Sequence, residues 1–214
     1  MKARRLTMVT LRNPQHTREC IFNAALAEFA LNGFAGGRIN NIARRARVNK
    51  RMLYFYFGNK KNLFRCILKQ KLAQRALWPA TAPEDLKETL VYWFDLACRD
   101  QDWIRLLECE ALHWTERELI AEDKRLKSFN QAVDQLRHRQ AQGKLPDNYD
   151  PRQLLLAFMA LTIFPLAFPQ LTRLITGLQV TGQKFRGQHS AFLASLPARF
   201  NHRPNPKLYE NGHA

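Results

Sequence analysis

Acidic residues are nearly missing from the first third of this chain. Between Met1 and Leu77 only Glu19 and Glu28 carry negative charge, against 17 lysines and arginines. From Trp78 to Ala214 the signs almost balance, 17 basic against 16 acidic, so nearly all of the formal +16 charge lies in one stretch. A charge serving only solubility would be spread more evenly. A compact basic lobe on a near-neutral body is the electrostatic footprint of a polyanion binder. An acidic membrane surface is the other partner that such a lobe fits.

Other absences narrow the field further. Four cysteines (Cys20, Cys66, Cys98 and Cys109) form no C-x-x-C pair and no Cys/His set at zinc spacing, so no zinc module is expected. Each stands in a helix-like apolar pattern and reads as a buried free thiol of a reducing compartment. There is no H-E-x-x-H, Walker loop, G-x-S-x-G or glycine-rich dinucleotide turn, and the six histidines are scattered. Neither an enzyme nor a bound cofactor is expected. The N-terminus lacks the order of a signal peptide. The longest apolar run, Leu154 to Phe168, is too short to span a bilayer and holds Pro165. A soluble, cytoplasmic protein with no membrane partner is the expectation. A hydrophobic content of 46% suits a packed core and argues against disorder.

What is present reads as helix throughout, so the expected class is all-α. Residues 1–16 look like a loose basic arm and 201–214 like a mobile tail. From Thr17, apolar residues recur at Ile21, Phe22, Ala25, Leu26 and Phe29 on one helical face, and Asn32-Gly33 supplies a stop. A second helix carries Ile39, Ile42, Ala43 and Ala46. After the turn Arg47-Val48-Asn49, with Asn49 as N-cap, a short third helix runs from Lys50 to Phe57. Gly58-Asn59 breaks it, and Asn59 caps a fourth helix bearing Leu63, Phe64, Ile67 and Leu68. Beyond Pro79 and Pro83, helices are expected near 84–100, 102–113, 115–142, 150–165 and 185–198. Asp150-Pro151 is a strong start signal. The implied domains are a helix-turn-helix over 17–60 and a helical body over 61–200.

Two short helices joined by a three-residue turn in a small basic bundle form a helix-turn-helix, whose second helix lies in the major groove. A wheel at about 100° per residue places Leu53 and Phe57 on the inner side of Lys50–Phe57. Arg51, Met52 and Phe55 face outward, with Tyr54 and Tyr56 on the flanks. An outward face of Arg, Met and Phe suits base edges better than water. Arg51 can donate twice to guanine, and Met52 and Phe55 can touch thymine methyls. Tyr54 and Tyr56 have hydroxyls placed for phosphates. Lys60 stands at the start of the fourth helix, where a phosphate is favoured, and Asn49 and Lys50 are further candidates for contact with DNA. Arg38, Arg44 and Arg45 add backbone contacts.

These residues resemble the TetR family of one-component bacterial regulators. The likeness runs from Thr17 to Leu68 and is carried by Ala24-Ala25 with Phe29, Asn32-Gly33-Phe34, Ile42-Ala43 with Ala46, and Leu53-Tyr54-Phe55-Tyr56-Phe57 followed by Lys60 and Leu63-Phe64. Three departures from the family pattern stand out. Arg47 stands where Gly is usual, at a place that calls for positive φ and costs a non-Gly residue on the order of 1 kcal/mol. Arg51-Met52 replace a small pair, and Phe55 replaces a frequent His. These differences bear on the operator sequence, not on DNA binding itself. The resemblance implies a homodimer joined through the last two long helices, about 150–165 and 185–198. It also implies repression of a double-stranded DNA operator and release by a small-molecule effector in the C-terminal domain.

For that effector the sequence offers one unusual helix. On 102–113, Glu110 falls in the middle of an apolar face shared with Trp103, Leu107 and Trp114, and His113 lies close by. A buried carboxylate needs a partner. It is either an anchor for a ligand in an aromatic cavity or a structural pair, and the expense of leaving the site unpaired favours the second. Trp93, Phe129, Phe158 and Thr162 are candidates for lining the same cavity. Two other classes remain open at this point: an effector-independent chromosome-organising protein, and a helical enzyme or lipid-binding protein with a basic membrane-facing lobe.

Overall fold

The computed structural model describes residues 14–75, 83–114 and 119–200, and among these it contains helices and no strand. The expected arm and tail lie largely or wholly outside the described residues. Ten helices are described: α1 (Pro14–Gly36), α2 (Ile39–Arg45), α3 (Lys50–Phe57), α4 (Lys60–Arg75), α5 (Leu86–Arg99), α6 (Gln101–His113), α7 (Glu122–Ala141), α8 (Pro151–Ala167), α9 (Pro169–Thr176) and α10 (Gln183–Phe200). The chain forms two compact units. The first comprises residues 1–71 and 109–120, the second 72–108 and 121–214, so the division falls inside α4 and α6.

The first unit closes around side chains from all of its helices. Ile21, Ala25 and Phe29 of α1, Ile42 of α2, Leu53 of α3 and Leu63, Phe64 and Ile67 of α4 are fully buried. Aromatic edges lock this core: Phe29 meets Phe64 at 5.4 Å, and Trp114 stacks flat on Phe64 at 4.8 Å. At Gly33 the backbone leaves helical geometry (φ 68°, ψ 176°), where Asn32-Gly33 was expected to end the first helix. Gly37 is required by close approach. A Cβ there would stand 2.7 Å from the Phe29 ring.

In the second unit α5 packs against α8 and α10, and α7 packs against α8. Asp85 and Asp150 cap α5 and α8 by accepting from the Glu88 and Arg152 amides. Arg75, its side chain largely buried, pairs with Asp100 at 3.0 Å and lies over the Trp103 ring. Burial pulls its pKa down to about 10, against the opposing charge of Asp100.

Three expectations need correction. The helix expected over 115–142 begins at Glu122, because Ala121 takes a left-handed conformation (φ 56°) that no helix can run through; residues 115–118 lie outside the described residues. The helix expected to end at 165 continues through Pro165 to Ala167. Helix α9 was not anticipated at all. Among the described residues no single helix is long and apolar enough to cross a membrane. The pair α8 and α9 reaches that length only together, and the chain bends by 92° between them. Of the cysteines, Cys98 and Cys109 are buried and Cys20 and Cys66 half-buried, and none is in a disulfide.

Candidate nucleic-acid interface

The turn between α2 and α3 is tied by backbone bonds from Val48 to Ala43 and from Arg47 to Arg44, at 3.0 and 3.1 Å. Arg47 has φ 55°, so a non-glycine residue does occupy a left-handed position there. Asn49 then caps α3. Its Oδ1 accepts from the Met52 amide at 2.8 Å, satisfying a donor that the helix cannot.

This cap fixes which way α3 faces. Leu53 and Phe57 are buried in the bundle, while Lys50, Arg51, Tyr54 and Phe55 are exposed and Met52 and Tyr56 are half-buried. Phe55 is 82% exposed, and its ring meets Tyr56 edge-on at 5.4 Å. Lys50 reaches back over Tyr54. The outer face thus sets two cations, Lys50 and Arg51, among aromatic and thioether surface. A groove presenting thymine methyls and guanine acceptors complements such a face.

The supports behind α3 are less symmetric than the wheel suggests. Arg38, at the N-cap of α2, makes no side-chain cap bond. Glu28 of α1 does that work from across the bundle. Its Oε1 accepts from the Arg38 amide and from Asn41 Nδ2, each at 3.0 Å. Burial pushes the Glu28 carboxyl up. The Arg38 amide, the Asn41 and Asn32 side chains and the Arg45 charge outweigh it and hold the group below its usual value. Sequence reasoning gave Glu28 no role, although it lies seven residues after Ile21 on the buried face of α1. Arg44 and Arg45 are exposed on α2, and Arg44 donates to Asn41 at 3.2 Å.

Lys60 is placed differently from expectation. Its Nζ donates to the Ala35 carbonyl at 3.1 Å and sits 4.9 Å from the centre of the Phe34 ring. Burial draws its pKa below the ordinary lysine value, with Glu28 opposing. The amine is turned onto the end of α1 instead of standing free at the start of α4. Asn59 caps that helix, accepting from the Asn62 amide at 2.8 Å.

The residues considered for an effector are divided between the two units. Glu110, His113 and Trp114 belong to the first, and Trp93, Trp103, Leu107, Phe129, Phe158 and Thr162 to the second. Glu110 is buried and accepts from the Ile120 amide at 3.2 Å, which makes it a tether for the segment after α6. His113 bonds to the Cys109 carbonyl, and Trp114 stacks on Phe64. The Thr162 hydroxyl donates to carbonyls of its own helix, and Phe129 is 43% exposed. Trp103 lies buried under Arg75, Phe158 is buried, and Trp93 and Leu107 are half-buried.

Comparison with known proteins agrees with this geometry. Residues 21–67 match the bacterial regulatory proteins of the tetR family, and residues 85–189 match the tetracyclin repressor-like C-terminal domain. The chain is 33% identical over 166 residues to the HTH-type transcriptional repressor SCO4008 of Streptomyces coelicolor, a match covering 78% of this chain and 86% of that one. It is 34% identical over 116 residues to the HTH-type transcriptional repressor NicS of Pseudomonas putida, covering 51% of this chain and 55% of NicS. Among solved structures, the regulator SCO4942 of Streptomyces coelicolor superposes with a TM-score of 0.69 at 25% identity, over 86% of this chain and 97% of that one. With an outward-facing α3 in a basic bundle and a second, helical unit in the same chain, the chain belongs to the tetR family and is a DNA-binding transcriptional regulator.

Proposed function

We propose that this protein is a homodimeric repressor whose α3 enters the major groove of an operator and which a small molecule releases from DNA. The observation that carries the reading is the division of α3. Leu53 and Phe57 anchor it in the core, and Arg51 and Phe55 are exposed among the described residues. Arg51 donates to guanine, Phe55 and Met52 contact thymine methyls, and Lys50, Tyr54, Tyr56, Arg38, Arg44 and Arg45 hold the phosphates. Asn49 contributes by fixing the start of α3.

The dimer forms through α8 and α10. Leu156, Ala157, Ala160 and Phe164 make one exposed stripe on α8, and Gly187, Ala191 and Phe192 another on α10. Small residues at such spacing let helices approach closely. Repression is supported by the likeness to SCO4008 and NicS, both transcriptional repressors. The effector belongs in the second unit, where Trp93 of α5 and Phe158 of α8 are the aromatic candidates between packed helices.

The test is binding to duplex DNA from upstream of the protein's own gene and its neighbours. Specific complexes should form and weaken by roughly 10³-fold between 50 and 200 mM salt, as several phosphate contacts require. Equal affinity for that DNA and for a scrambled duplex would overturn the reading. A thermal-shift screen then seeks the effector, since a ligand of the native state raises apparent stability.

A further inference from the structure

The one buried residue of helix α9 is polar, and its large apolar residues are exposed. Thr172 is buried, and its hydroxyl donates to the Pro165 carbonyl at 3.0 Å. Leu171, Leu174 and Ile175 are 47%, 71% and 76% exposed. A single exposed leucine is ordinary, but three on a helix of two turns form a patch that water should not face. Between Phe168 and Gly182 the sole charged residue is Arg173.

We propose that α9 is a dimer clamp, with Leu171, Leu174 and Ile175 covered by a second copy of this chain. The inference rests on the dimer reading given above and extends it to an element outside the α8–α10 pair. Three observations select this occupant. The patch is continuous with the α8 stripe, because the Phe164 and Phe168 rings, both partly exposed, touch at 5.0 Å. The stripes on α8 and α10 combine Leu156, Phe164 and Phe192 with alanine and glycine. A stable interface buries about 800 Å² per partner, and the branched side chains of α9 enlarge the apolar area that those stripes offer. Finally, an acidic membrane would need basic residues beside the patch. Arg173 is the only one on this segment, and the charge excess lies within residues 1–77. The 92° bend places α9 across the end of α8, where a partner lying along α8 meets it.

The experiment is sedimentation velocity on the full chain. The double variant Leu174→Glu/Ile175→Glu should raise the dimer dissociation constant by roughly 100-fold or more, with helical content unchanged. The same change at an exposed leucine of the first unit, Leu112→Glu, should leave the dimer intact. If the double variant aggregates, Leu174→Gln/Ile175→Gln is read in its place, with a weakening of about tenfold expected. A variant dimer as tight as the parent overturns the proposal. So does loss of binding to phosphatidylglycerol vesicles with the dimer unaffected, because the patch would then serve a membrane. Leu156→Glu on α8 separates the two readings. If it splits the dimer and the α9 variants do not, only the role of α9 falls; if neither does, the α8–α10 interface falls with it.

Discussion

His189 gives Leu161 the hydrogen bond that Pro165 cannot. In α8 the Leu161 carbonyl would receive the amide of residue 165, but proline has none. His189 Nε2 of α10 lies 2.9 Å from that oxygen, its ring stacked on Phe185 and edge-on to Phe94. Because a carbonyl only accepts, the imidazole must carry its proton on Nε2. His189→Phe should therefore cost about 1–2 kcal/mol by stranding a partly buried carbonyl. Pro165→Ala restores a donor within α8, and in that background the histidine substitution should cost about 1 kcal/mol less. A double-mutant cycle by urea unfolding measures this coupling, and strict additivity would contradict it.

The recognition face can be separated from stability. Arg51 and Phe55 contribute little to the core, so Arg51→Ala and Phe55→Ala should shift unfolding free energy by less than about 0.5 kcal/mol. Each should weaken specific operator binding by roughly 10–100-fold. Phe55→Ala should leave affinity for non-specific DNA unchanged, whereas Arg51→Ala removes a charge and lowers both. Gel-shift titrations on specific and scrambled duplexes distinguish these outcomes.

Glu28 links the fold to acidity. Its folded-state pKa lies below the ordinary value of 4.5, so its stabilisation is complete above that value. That stabilisation disappears as pH falls through the lower folded value. Glu28→Gln should cost about 1–2 kcal/mol at neutral pH, since it replaces a charged acceptor by a neutral one. The penalty should shrink in acid, where the parent carboxyl is itself protonated. Unfolding curves at pH 7 and at progressively lower pH test this, and a constant penalty would exclude the carboxylate as cause.

At Arg47 the prediction is a gain. Arg47→Gly relieves a left-handed side-chain conformation and should stabilise the protein by about 0.5–1 kcal/mol. Arg47→Ala keeps the strain and should not. Thermal melts of the two variants side by side provide the comparison.

Much of this architecture was legible before any coordinates. The inward Leu53 and Phe57, the outward Phe55 and the caps at Asn49, Asn59 and Asp150 follow from period and side-chain chemistry alone. The strain at Arg47 was legible because a glycine is usual in its place. What escaped depends on partners remote in sequence. Pro165 reads as a stop unless His189 is known to serve the carbonyl it frees. Glu110 reads as either anchor or tether until the Ile120 amide is found ten residues on. Helix α9 was hidden because its apolar residues face outward among the described residues and do not mark a core face. The candidate DNA interface was the most legible part, since a short helix must either bury a side chain or show it. Lys60 was the exception, drawn onto Phe34 by a ring and a carbonyl that no wheel of α4 contains.

The tight seat of Gly37 against Phe29 reaches beyond packing. A methyl there would press on the Phe29 ring, so the joint between α1 and α2 accepts no side chain at this position. Variation that retargets the protein to a new DNA sequence must accumulate elsewhere. The side chains of α3 that touch nothing inside are free to supply it, so the scaffold can stay constant while its preferred sequence drifts.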